Sequence, residues 1–162
     1  MINTYILGQV DIFEGLSPKH LELIDAICHE KTYNLGEVIF EENSLSKEFY
    51  IIMDGQVEIQ VDPDTIGDGT DSYQPSTIAV LRRGQSFGEV AMVDPGVRSA
   101  SARCGTKTCS LLVIDRRDLI KLLEDDYEMG YIVMSNLAAD LSLKIRQTNL
   151  MVRESLMYSA KE

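Results

Sequence analysis

Between residues 31 and 115 turn-forming residues recur too often for any long helix to form. Gly36, Asn43, Asp54-Gly55, Arg83-Gly84 and Gly105 divide this stretch into short segments, because these residue types tolerate the backbone angles of tight turns. The segments between them read as strands. Gln56-Val57-Glu58-Ile59-Gln60-Val61 alternates apolar with polar residues, whereas Phe49 to Met53 is a continuous apolar run and reads as a buried strand. Strands this short and this closely spaced predict a mainly β fold, a jelly-roll-like antiparallel β-barrel of the double-stranded β-helix kind. Helices flank it. Ser17-Pro18 supplies an N-cap and a first helical residue, and Leu21, Leu23, Ile24 and Ile27 follow at helical spacing, so a short N-terminal helix is predicted to end near Glu30. From Asp115 the pattern turns helical again, with Leu119, Ile120, Leu122 and Leu123 in a short helix. After a break near Asp125-Asp126, Met129 to about Tyr158 forms one long helix.

With 162 residues the chain suffices for one domain and an appendage. The expected division is a β-barrel with its N-terminal and following short helices over 1–126, and the long helix over 127–162. A net charge of −11 argues against direct nucleic-acid binding, which needs a basic surface to displace counterions. No apolar run approaches the roughly 20 residues that span a bilayer, and Met1 to Tyr5 lacks the basic start of a signal peptide. The expected location is the cytoplasm, with no membrane contact. The three cysteines, Cys28, Cys104 and Cys109, form no CxxC pair, so neither a disulfide framework nor a zinc site is indicated. Cys104 and Cys109 flank Gly105-Thr106-Lys107-Thr108, which reads as a hairpin turn that sets the two thiols opposite each other across a strand pair.

One loop carries most of the functional information. In Phe87-Gly88-Glu89-Val90-Ala91-Met92-Val93-Asp94-Pro95-Gly96-Val97-Arg98-Ser99-Ala100-Ser101-Ala102 a glycine-opened turn, a carboxylate and an arginine fall within one short segment, after which β-type alternation resumes. Gly88 lets the backbone approach a ligand, and the first turn of a helix leaves amide donors free for phosphate oxygens. Arg98 adds a planar fork of donors for an anion. Glu89 offers an acceptor suited to a sugar hydroxyl. A phosphate and a hydroxyl at fixed separation point to a nucleotide.

This run resembles the phosphate-binding cassette of cyclic nucleotide-binding domains, on which Phe87, Gly88, Glu89, Val90, Ala91, Met92, Arg98, Ser99, Ala100 and Ser101 fall at the family spacing. Val97 departs from the proline common in eukaryotic members. Asp11 to Ser17, Leu35 to Phe40 and Phe49 to Ile59 resemble the family's opening, second strand and central hairpin, so the likeness runs from about residue 10 to residue 150. The resemblance implies a regulatory sensor with no catalytic residues, no metal and no cofactor beyond its ligand, cAMP rather than cGMP. It implies that Arg98 pairs with the cyclic phosphate, that Glu89 takes the ribose 2′-hydroxyl, and that the backbone around Phe87, Gly88, Val90, Ala91 and Ala100 completes the site. Ser99 serves a phosphate oxygen or the base. The long helix covers the base, with Lys144, Ile145 and Thr148 as capping residues. It also forms a homodimer through Met134, Ala138, Leu141, Ile145, Thr148 and Val152, which recur at steps of four and three. An effector protein or domain is the further partner implied. Beyond Asn149 too few residues remain for the winged helix-turn-helix of the catabolite-activator branch. The chain is therefore either a free-standing sensor or a regulatory piece of something longer, and its opening Met leads directly into family-like sequence, as at a natural N-terminus.

Three other readings are weaker. A ligand-free interaction or dimerisation module of the same fold is the alternative. A metal-dependent cupin-like enzyme would need histidines on the barrel strands, yet His20 and His29 both fall on the predicted first helix. Asp62 to Asp71 begins like a calcium loop, but Ile66 occupies a ligand position and Tyr73 stands where the closing Glu belongs, so a solvated hairpin insertion is expected.

Overall fold

The computed structural model describes residues 2–62, 74–94 and 96–159. Helix α1 (Ile2–Leu7), a single 3-10 turn at Asp11–Phe13 and helix α2 (Pro18–Asp25) open the chain. Eight strands follow: β1 (Cys28–Asn34), β2 (Val38–Phe40), β3 (Glu48–Asp54), β4 (Gln56–Val61), β5 (Ser76–Arg82), β6 (Ser86–Phe87), β7 (Ser101–Cys104) and β8 (Thr108–Asp115). Helices α3 (Arg116–Asp125) and α4 (Tyr127–Ser159) complete it. The strands form two four-stranded antiparallel sheets, ordered β1-β8-β3-β6 and β2-β7-β4-β5. This is the expected jelly-roll arrangement with flanking helices and a long C-terminal helix, except that the sheets face each other without closing into a ring.

The two central strands of the first sheet, β3 and β8, are covered on both sides. Along β3, Phe49 and Ile51 join the core beneath the helices, while Tyr50 and Ile52 join the core between the sheets. Strand β8 repeats the division, with Leu112 and Ile114 on the helix side and Cys109, Leu111 and Val113 between the sheets. A strand buried on both faces needs apolar residues at every position, and this explains the unbroken run from Phe49. Sheet two has one face in water, and in β4 the buried Val57 precedes the outward Glu58 as the alternation requires.

Two expectations need correction. Helix α2 ends at Asp25 rather than near Glu30, because from Cys28 onward the backbone pairs with β8, Cys28 opposite Ile114 and His29 opposite Val113. His29 therefore lies on a strand rather than on the first helix. Cys104 and Cys109 do not face each other across a strand pair: β7 hydrogen-bonds to β2 and β4, and β8 to β1 and β3, so the intervening turn crosses from one sheet to the other. Both thiols end in the core between the sheets, reduced. The segment read as a failed calcium loop falls, beyond Asp62, outside the described residues.

Helix α4 meets the body only along its first half. Met129, Val133 and Leu137 are buried, Met134 and Leu141 pack partly against the same core, and the Asn136 side-chain amide donates to the carbonyls of Ile12 and Glu14. At the α3–α4 junction Asp126 accepts from the Met129 amide and from His20 Nε2 at 3.3 Å. Beyond Lys144 the apolar side chains of the helix stand in water, with Leu150, Leu156 and Met157 all more than half exposed. Among the described residues no helix is long and apolar enough to cross a membrane.

Candidate functional site

Strand β6 delivers Phe87 into the core between the sheets, where its ring stacks on Tyr50 at 5.0 Å and 9°. Gly88 then turns the chain with φ 75°, the left-handed region that other residues enter only under strain. A Cβ here would stand 2.7 Å from Arg98 Nη1 and 3.2 Å from the Glu48 carbonyl oxygen, so glycine is required for space as well as for angle. A single 3-10 turn, Glu89–Met92, follows and buries Glu89, Ala91 and Met92.

Arg98 returns to this turn from the other end of the loop. Its backbone is fixed by two bonds of 2.8 Å, its amide donating to the Ser44 carbonyl and its carbonyl accepting from the Asn43 amide. The guanidinium lies 4.2 Å above the Phe40 ring and donates from Nη2 to the Glu48 carbonyl at 2.6 Å and from Nη1 to the Gly88 carbonyl at 3.3 Å. Only 5% of the residue is exposed, and Nε meets no acceptor among the described residues. Burial lowers the pKa of this group, opposed by Tyr50, Glu48 and Glu89, and an arginine so placed remains charged. Tyr50 donates to Glu48 Oε2 at 2.6 Å, and burial followed by this bond raises the phenol well above its ordinary range.

Glu89 is 6% exposed, and its Oε1 accepts from Lys144 Nζ at 2.6 Å. Lys144 also reaches Asp140, one helical turn earlier, at 2.9 Å. Burial works against the Lys144 ammonium, but Glu89 and then Asp140 outweigh it, and its pKa stands above the usual lysine value.

The loop thus gathers Phe87, Gly88, Glu89, Ala91 and Arg98 in one buried place. Val90 is 42% exposed, Ser99 is exposed and Ala100 half-buried at the rim. Of the three expected capping residues, Lys144 reaches the loop. Ile145 is 62% exposed, and Thr148 donates its hydroxyl to the Lys144 carbonyl within its own helix. Sequence reasoning did not single out Phe40, Glu48 and Tyr50 as supports of Arg98. A signal existed, since alternation places Glu48, Tyr50 and Ile52 on one side of β3, and the first two bring a carboxylate and a phenol beside an apolar run. Chemically, the arrangement offers a buried cation with an open donor to an anion, and a buried carboxylate in the same loop to a hydroxyl.

The chain is similar to several known proteins. The chain is 30% identical over 139 residues to the cyclic AMP receptor protein of Thermus thermophilus, an overlap of 86% of this chain and 59% of that protein. It is 28% identical over 121 residues to a cGMP-dependent protein kinase of Caenorhabditis elegans, covering 74% of this chain and 14% of the kinase. The crystal structure of the Thermus thermophilus catabolite activator protein superposes with a TM-score of 0.73 at 29% identity, covering 88% of this chain and 62% of that one. The chain thus spans less than two thirds of the length of these proteins. Residues 30–126, which hold every strand but the first residues of β1 and the whole of the Gly88–Arg98 loop, match the family of the cyclic nucleotide-binding domain, and the chain belongs to that family.

Proposed function

We propose that this chain is a non-catalytic sensor that binds a cyclic purine mononucleotide, cAMP in preference to cGMP, and passes the binding event to its C-terminal helix. One observation carries the reading: Arg98 is buried with an unpartnered Nε beside a turn that also buries Glu89. A buried donor without an acceptor is costly, and a cyclic phosphate would supply that acceptor. Arg98 then holds the phosphate, Glu89 the ribose 2′-hydroxyl, and the amides opening the 3-10 turn, which have no partner inside the turn, join them. Phe87, Gly88, Val90, Ala91 and Ala100 shape the backbone, and Ser99 at the rim reaches the phosphate or the base. The Thermus relative is a cyclic AMP receptor protein, which supports the preference for cAMP. Residues 1–126 act as the sensing unit and 127–162 as lid and dimer helix, in which the exposed Ile145, Thr148 and Val152 continue the stripe begun at Met134 and offer it to a second copy. The site of action is the cytoplasm, on a protein effector.

The test is calorimetric titration of the intact chain with cAMP and cGMP, repeated on Arg98→Ala. Removing one member of a buried, hydrogen-bonded charge pair costs roughly 2–5 kcal/mol, so affinity should fall from about 30-fold to several thousandfold. Unchanged affinity would remove Arg98 from the site. One observation favours the alternative of a ligand-free module, namely that Glu89 already has a cation of the chain's own upon it. Failure of both nucleotides to bind would establish that alternative.

A further inference from the structure

Lys144 stands on the oxygen that a ribose would need. The Glu89 side chain is 8% exposed, and the Lys144 ammonium stands on its Oε1 at 2.6 Å. So enclosed a carboxylate has little room for a second partner. The contact also comes at a telling place along α4. Leu137 is buried, Leu141 packs partly, Lys144 reaches Glu89, and beyond it Ile145, Leu150 and Val152 are more than half exposed, so Lys144 lies where the helix leaves the body.

We propose that Lys144 is an internal competitor for Glu89, pinning α4 over the loop in the free chain and giving way when a ribose 2′-hydroxyl takes its place. The inference rests on the nucleotide-binding reading above. Asp140 makes the exchange affordable: at 2.9 Å it keeps a carboxylate on the Lys144 ammonium, and the Lys144 side chain is 45% exposed, so release leaves no cation stranded. Glu89 in turn gains the hydroxyl instead of remaining a buried, unpaired charge. The consequence is a specific one for ligand choice. Because the hydroxyl must first displace an ammonium, it adds little to net affinity in the native chain. A ligand without that hydroxyl leaves the pin in place and binds almost as well.

Calorimetric affinities for cAMP and for 2′-deoxy-cAMP, each on the native chain and on Lys144→Met, decide the matter. In the native chain the two nucleotides should bind within about threefold of each other, whereas in Lys144→Met the ribose form should lead by about tenfold or more, the usual contribution of a hydrogen bond to a charged acceptor. An equal ratio in the two proteins overturns the competition. If neither nucleotide binds either protein, the functional reading falls and the competition with it. The pin itself is tested without nucleotide by amide hydrogen exchange over residues 137–150. Lys144→Met and Glu89→Gln should each speed exchange there, and unchanged exchange in both overturns the pin.

Discussion

Gly88 is held by its neighbours as firmly as by its own angles. Its left-handed φ alone makes a side chain unfavourable, and the approach of Arg98 Nη1 and the Glu48 carbonyl removes the space for one. Gly88→Ala should therefore lose roughly 1–3 kcal/mol of stability, the scale of a strained backbone site, visible as a lower thermal midpoint. It should weaken cyclic nucleotide binding as well, because the guanidinium is the neighbour free to move. A variant with unchanged midpoint and affinity would show that the loop tolerates the shift. The role of Gly88 was legible in the sequence, since a glycine before a carboxylate with an arginine further on is an unusual pattern with a clear chemical use. The partnership of Lys144 with Glu89 was not legible, because the two lie far apart in the chain and no local signal links a lysine on a helix to one particular carboxylate. What could be read was only that this part of the helix passes near the loop.

Among the elements, α4 divides into an anchored and a free half. The anchored half is fixed by Met129, Val133 and Leu137, the Asn136 amide and finally Lys144. Removing residues 142–162 deletes the pin and the apolar stripe together while leaving Arg98 and Glu89 in place. Such a chain should still bind nucleotide, with affinity altered on the 1–3 kcal/mol scale of coupling between sites, and should sediment as a smaller species than the intact chain if the stripe joins two copies. Equal sedimentation at equal concentration would exclude the stripe as the dimer contact. The proposed seam from Met134 to Val152 shows why periodicity alone could not assign this helix: Met134 and Leu141 pack against the body, while Ile145 and Val152 stand in water. One stripe serves two surfaces. The end of α2 was misread for a similar reason, since Cys28-His29-Glu30 suits helix or strand and only pairing with β8 decides between them.

For the whole molecule the thiols report on intactness. Cys28 and Cys109 are both pushed up to about 12, Cys28 by burial and then Asp25, Cys109 by burial and then its hydrogen bond with Cys104. Cys104 is itself buried. The thiolate is the reactive form, so an alkylating reagent at mildly alkaline pH should leave the folded protein unmodified and label all three cysteines once it is unfolded. Rapid labelling of Cys104 or Cys109 in the native chain would mean that the sheets part far more readily than their packing indicates. That packing has a mechanical corollary in β3. Tyr50 leans towards the loop side of this strand and Phe49 towards the helices, next to Phe13. The strand is a party wall with furniture fixed to both sides. A tenant who shifts the wall on one side rearranges the room on the other, so substitutions of Phe49, remote from any bound phosphate, will be felt at Arg98.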